Sequence, residues 1–455
     1  MTLSLKTGAI SVLLLILCAI SPARADSTTT ALAIYSQNNA AAPNMRTWIA
    51  SPEGWSAQST ISPAPASGTP WVIPLNSPVA NESAVVIFDA SRNLSLQVAA
   101  GSSWGSAVTL STNVGTASGG RACAAAYDPA GKLIIAYWKG TSGKLAIRVR
   151  SAGGTLGGES LYDIGTGLTG LRWVTLTRKP QSNRMLILAL DGSGKLIAGM
   201  WNGSSSASGW TTLASDVDSL ATESFAGAWE QSSRTPMVVY RRSSQTAPCY
   251  RRYVSDSWTA ESTITTTSPS TFRPVYTRLA PKPASDQILL CACDASANLG
   301  SALWNGSAWT TFSTAASLHN QSSGRRTFDV AWQSDGAQAL MIYGGHSGNA
   351  KFRRRTFSGS SWSSESVVGS NTATAQVTLL YPQSGTSEIW AMAMDAGNKV
   401  YFAKWSGSAI TIWSQLTSGS SYPDCDSFGL IVPTTLAPAD DEPLVITDWQ
   451  EVEPQ

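Results

Sequence analysis

Short runs of apolar and β-branched residues return along this chain at nearly one interval. They begin at Ala31, Ser83, Lys132, Arg184, Pro236, Asp286, Ala339 and Glu388, so successive starts lie 52, 49, 52, 52, 50, 53 and 49 residues apart. Each run spans only a handful of residues and is bounded by Gly, Ser, Asn or Asp, as strands separated by tight turns are. A period near 51 built only from such runs predicts a repeating all-β architecture, a propeller or a solenoid.

The seventh unit chooses between them. It contains a run from Thr327 to Trp332, a second from Ala339 to Tyr343, a third from Lys351 to Phe357, and a Ser-Gly-Ser turn leading to Trp362. Four strands, a to d, joined by hairpins make one propeller blade, whereas a solenoid coil needs no hairpins. The second strand of each unit is almost continuously apolar, as expected where neighbouring blades cover both faces. The chain therefore predicts a single eight-bladed β-propeller of four-stranded blades. The first unit enters at strand b. Its missing strand a is predicted at the other end of the chain, where the segment from Ser427 to Val432 resembles strand a of the seventh unit. Such a latch removes two open sheet edges.

Around this body the chain has three expected regions: a leader at 1–25, the propeller at 26–433 and a tail at 434–455. The leader carries Lys6, an apolar run from Gly8 to Ile20, and the small-residue site Ala23-Arg24-Ala25. This is a secretory signal pattern, and its apolar run is too short to span a bilayer. No later run approaches about 18 apolar residues, so no membrane span is expected. Export places the protein outside the cell, in the periplasm or on the cell surface. Without Cys18 five cysteines remain, Cys123, Cys249, Cys291, Cys293 and Cys425, an odd number that cannot pair completely within the chain.

Composition narrows the chemistry. The net charge of +2 over 455 residues comes entirely from Lys6 and Arg24 of the leader, so the rest is no polycation for nucleic acid. Two histidines are too few for a metal site, and no metal or cofactor is expected. The tail holds Asp440, Asp441, Glu442, Asp448, Glu451 and Glu453 and no Lys or Arg. It is suited to folding back on the basic body or to docking on a partner.

The units also alternate in kind. In even blades an Asp lies five residues before the first apolar residue of strand c, at Asp89, Asp191, Asp294 and Asp395. Odd blades instead carry an Arg in strand c, aligned at Arg46, Arg148, Arg252 and Arg355, where even blades have Gln97, Gly199, Ala302 and Ala403. These eight residues are the candidate ligand-binding positions, one Asp and one Arg per pair of blades. They have a structural reading as well: each Asp begins a b-to-c hairpin that its side chain can cap, and each Arg can lie across a small residue of the next blade. Tryptophans mark the c-to-d hairpins, as at Trp48 with Trp55, Trp201 with Trp210, Trp304 with Trp309 and Trp405 with Trp413. They are read as packing between blades, with a sugar platform as the alternative. His319, in the linker before blade seven, and His346, in its b-to-c turn, fall on one face of one blade and are the weak catalytic candidates.

The blade of about 50 residues and the recurrent tryptophans resemble the propeller lectins that bind fucose and the propellers of sialidases. The resemblance covers residues 28–433 in architecture. The sialidase-type Asp box, Ser-x-Asp-x-Gly-x-Thr-Trp, is absent, and the sequence gives the Arg-plus-Glu pair of the fucose lectins no consistent counterpart. The expected function is a non-enzymatic binding or scaffold role toward a glycan or protein at the cell exterior. The alternative is a carbohydrate-active hydrolase or lyase working on the linker face.

Overall fold

The computed structural model describes residues 31–432, apart from 38–39, 41, 63–70, 90, 102, 115–119, 141, 219–220, 319–325, 346–350, 370–374 and 418–427. The leader, the acidic tail and both histidines lie outside the described residues. The described chain is all β. Its strands form eight sheets, one per blade, in which strands a to d pair antiparallel.

Blade seven shows the plan. Strand a (Phe328–Trp332) pairs with strand b (Ala339–Gly344), which pairs with strand c (Phe352–Phe357) and then with a short strand d (Ser366–Val367). Strand b is buried along its length in this blade, as it is at Met185–Asp191, Ile288–Asp294 and Ile389–Asp395. A strand with neighbours on both faces has no solvated side, so its sequence loses the apolar–polar alternation. Blade six adds a fifth strand, Thr266–Ser268, parallel to its strand d at Phe312–Ser317.

The ring closes through the C-terminal segment. Phe428–Ile431 pairs antiparallel with Leu32–Tyr35, in the register Leu32 to Ile431, Ala33 to Leu430, Ile34 to Gly429 and Tyr35 to Phe428. Blade one thus takes strand a from the end of the chain and strands b to d from the beginning.

The core is not central. Eight apolar clusters lie between neighbouring blades, each built from the facing sides of two sheets. The cluster between blades six and seven contains Leu289, Cys291 and Cys293 from one sheet with Phe328, Met341 and Tyr343 from the next. Each buried side chain of this size contributes about 1.5–3 kcal/mol, so the ring is held together at the seams. Cys249, Cys291 and Cys293 are free thiols and, like Cys123, are buried in these seams. Burial pushes the Cys249 thiol up to about 12, with nearby Glu261 adding to the effect.

The pairwise alternation of blades is also structural. The indole N–H of Trp229, ending strand a of blade five, donates to the Thr177 carbonyl at 2.9 Å, and that of Trp332 in blade seven donates to the Ala280 carbonyl at 3.1 Å. In both cases an odd blade is tied to the even blade before it. Lys179 and Lys282 lie over these same two rings, 5.8 and 5.0 Å from the centroids.

Candidate functional site

The four candidate aspartates end strand b of the even blades and fold the turn that follows. Asp89 Oδ1 accepts the backbone N–H groups of Ser91 and Asn93 at 2.9 and 2.8 Å, and Asp191 Oδ1 those of Ser193 and Lys195 at 2.9 and 2.7 Å. Asp294 Oδ1 does the same for Ser296 and Asn298, and Asp395 Oδ1 accepts Lys399 N at 2.9 Å. All four are buried. A carboxylate that accepts donors two and four residues ahead fixes its own turn.

The arginines point elsewhere, and register decides where. In strand c, Arg46 lies opposite Ala33, Arg148 opposite Ile135 and Arg355 opposite Met341. Each of these strand b residues is two before a tyrosine: Tyr35, Tyr137 and Tyr343. In blade five the residue two before Tyr240 is Val238, and its partner is Arg251. Arg251, not Arg252, therefore holds the position of Arg46, Arg148 and Arg355. Arg252 pairs with Met237 and faces blade six, because one step along a strand reverses the face.

On the shared face each odd blade assembles three side chains from three adjacent strands. Tyr35 donates to Gln58 Oε1 at 3.0 Å, Tyr240 to Glu261 Oε2 at 2.8 Å and Tyr343 to Glu365 Oε2 at 2.5 Å; Tyr137 donates to Glu159 Oε2 at 2.5 Å. Arg148 lies directly across from Glu159. Continuing the strand c to strand d registers places Arg46 across from Gln58, Arg251 from Glu261 and Arg355 from Glu365. The set faces the preceding even blade, not the following one; Arg355 donates to the Ala315 carbonyl there, while Arg46 and Arg148 donate to the Ser56 and Gly157 carbonyls of their own blades.

Three of the four sets carry a full carboxylate, and each has a second cation: Lys139 on Glu159, Arg242 on Glu261 at 2.7 Å and Arg353 on Glu365 at 3.4 Å. The carboxylates keep 18%, 16% and 33% of their side-chain surface open. Burial, reinforced by the adjacent glutamate, raises the phenols of Tyr137, Tyr240 and Tyr343 far above their ordinary range, so they remain donors. Burial works against the Glu159 carboxylate, but the hydrogen bonds from Lys139 and Tyr137 hold it below its usual value and charged. The result is an ionised acceptor beside guanidinium donors, at a partly open seam. Such a set can receive hydroxyl protons and donate to hydroxyl oxygens.

The tyrosines and the acids of strand d were not among the sequence candidates. Their signal was present, since the bonded pairs are 23, 22, 21 and 22 residues apart in blades one, three, five and seven. Even blades hold a different solution at the arginine position. At Gly199 an added Cβ would lie 2.3 Å from the Trp210 ring, so the indole takes the space that the arginine side chain occupies in odd blades. Among the described residues no ion pair joins the aspartate set to the arginine set, and no three metal-ligating side chains converge. No helix there is long and apolar enough to cross a membrane.

Comparison with known proteins places this geometry. No protein-family model and no curated protein matches the chain. Among solved structures, the BP39L lectin from Burkholderia pseudomallei is similar over 77% of this chain and 100% of its own, with a TM-score of 0.56 and 13% identity. The fold is that of a propeller. The dihydro-heme d1 dehydrogenase NirN, in complex with DHE, is similar over 89% of this chain and 75% of its own, with a TM-score of 0.56 and 9% identity. A lectin and a dehydrogenase share the architecture equally well, so the fold itself does not select between binding and catalysis.

Proposed function

We propose that this propeller is a multivalent glycan-binding protein, exported through its leader and acting without catalysis at the cell exterior. The observation that carries the reading is the fourfold recurrence of a tyrosine, an arginine and an acid or amide on one face of every odd blade, with the carboxylates partly open. A catalytic centre is needed once, whereas a glycan surface benefits from equivalent sites, because simultaneous engagement multiplies weak affinities. The likeness to a bacterial lectin agrees with the proposal. The hydrolase or lyase alternative rests on His319 and His346, which lie outside the described residues.

The test is a glycan array probed with the purified protein, including acidic and fucosylated structures, with mass spectrometry of the bound glycans. Saturable binding without cleavage is expected, weakened several-fold by Arg148→Ala or Arg251→Ala. Cleavage, or silence on every glycan, overturns the proposal.

A further inference from the structure

Strand c of each odd blade turns its other face toward the even blade that follows. Register marks one position on that face, the partner of the strand b residue just before the tyrosine: Met45 opposite Ile34, Ile147 opposite Ala136, Tyr250 opposite Val239 and Arg354 opposite Ile342. In the first three of these blades the residue packs on aromatic rings of the next blade. Met45 Sδ accepts the Trp104 indole N–H at 3.2 Å, Ile147 lies in one cluster with Trp201 and Trp210, and Tyr250 stands 6.0 Å from the rings of both Trp304 and Trp309. Blade seven puts a cation at this place.

Neither blade answers that charge. Among the described residues the Arg354 guanidinium makes no hydrogen bond and no ion pair, its Nε is buried without an acceptor, and no ring lies beneath it as Trp304 lies beneath Arg252. Across the seam, strands c (Val400–Trp405) and d (Ile410–Gln415) of blade eight present Tyr401, Ala403, Trp405 and Trp413, all uncharged. The acids on the facing sides are engaged elsewhere. Asp329 Oδ2 accepts the backbone N–H of Leu380 at 2.9 Å and Asp329 Oδ1 lies 3.3 Å from Arg278 Nε, while Asp395 accepts the Lys399 N–H and the Tyr401 hydroxyl, each at 2.9 Å. Burial lowers the Arg354 guanidinium from its ordinary value, and no neighbouring charge opposes the shift. A half-buried cation in an apolar seam is costly until a counter-charge reaches it. The wall around it is already set: the Trp413 ring stacks on Tyr401 with centroids 5.1 Å apart, and a Cβ on Gly369 would come within 2.5 Å of that indole. Thr356 and Ser366, both half-buried, add hydroxyls beside Arg354 on the same face.

We propose that the seam between blades seven and eight is a second kind of binding site, for the carboxylate of an acidic sugar held by Arg354. A guanidinium presents a planar fork that matches a carboxylate bidentately, and the hydroxyls of Thr356 and Ser366 can donate to or accept from those of a sugar ring. The low polarity of the wall strengthens the charge attraction. The inference rests on the glycan reading but uses the face of blade seven opposite to its rim set, so the two fail separately.

Isothermal titration at fixed ionic strength tests it, with glucuronate and galacturonate as probes, glucose as the uncharged control and glucose 6-sulfate as a non-planar anion. One saturable uronate site per chain is expected, unchanged by Arg148→Ala at the rim. Arg354→Met gives blade seven the residue type of blade one at this position, so it should melt no lower than the unaltered protein while weakening uronate binding about ten-fold or more. Arg354→Lys keeps the charge without the planar fork and should weaken binding by a smaller factor, which keeps the test open if Arg354→Met folds poorly. Absence of saturable uronate binding, binding that survives Arg354→Met, or equal affinity for glucose 6-sulfate overturns the proposal. A glycan-array signal that is lost with Arg148→Ala while no uronate titrates overturns this site alone and leaves the rim reading standing.

Discussion

Arg252 Nη2 lies 2.8 Å from Oε1 and 3.0 Å from Oε2 of Glu230, a carboxylate only 1% exposed. Oε1 also accepts the indole N–H of Trp304 at 2.6 Å, and the Arg252 guanidinium sits 4.8 Å from the Trp304 ring centre. Trp304 belongs to blade six and Glu230 to blade five, so one buried charge couples the two sheets. Trp201 and Trp405, at the same place in blades four and eight, have indole nitrogens with no hydrogen-bond partner among the described residues.

Removing that carboxylate strands a cation and an indole donor together. Glu230→Ala should lower stability by about 2–3 kcal/mol, somewhat under the cost of a fully buried pair because Arg252 is 23% open. Glu230→Gln keeps an acceptor and should cost less. Urea unfolding followed by tryptophan fluorescence measures both, and equal losses would refute the assigned role of the charge.

The C-terminal strand is predicted to hold the ring shut. Leu430 is 3% exposed and packs against the apolar cluster between blades eight and one. Leu430→Asp buries a carboxylate without a partner, a penalty of several kcal/mol, and should release the strand. The expected signs are a lower melting temperature and new proteolytic cleavage near residues 31–35, whose strand regains an open edge. Melting and cleavage like those of the unaltered protein would show that the strand does not close the ring.

Acid should loosen the linker side of blade five. Burial opposes the charge on Asp216, but hydrogen bonds from Arg242, Ser244 and Ser243 outweigh it and bring its carboxyl down to about 2. A depressed carboxyl contributes stability above its unfolded value of about 3.9, and loses it as pH falls through the folded one. Melting temperatures between pH 5 and pH 2 should therefore fall more steeply for the unaltered protein than for Asp216→Asn. Parallel curves would remove Asp216 from the acid response.

The repeat, the four-stranded blade and the C-terminal latch were legible in the chain because they are local patterns repeated at fixed spacing. A strand that is apolar throughout already states that both its faces are covered. The turn-capping of the four aspartates is of the same kind, since the backbone donors held by each Oδ1 lie two or four residues ahead. Arg252 marks the limit. Its neighbour Arg251 matches the other blades, and nothing in the composition of the segment distinguishes the two, whereas one step of register sends them to opposite faces.

What only the tertiary structure decided is where side chains from different strands and blades meet. Tyr240 reaches Glu261 across 21 residues, Glu230 reaches Trp304 across 74, and Arg326 reaches Glu223 across 103. Periodicity along the chain fixes how each blade folds, because turns and pleats depend on near neighbours. Which polar groups face one another depends on the register of every sheet and on closure of the ring. The rim sets therefore form with the register of each odd blade, whereas Glu230 meets Trp304, and Arg326 meets Glu223, only once separate blades are in place.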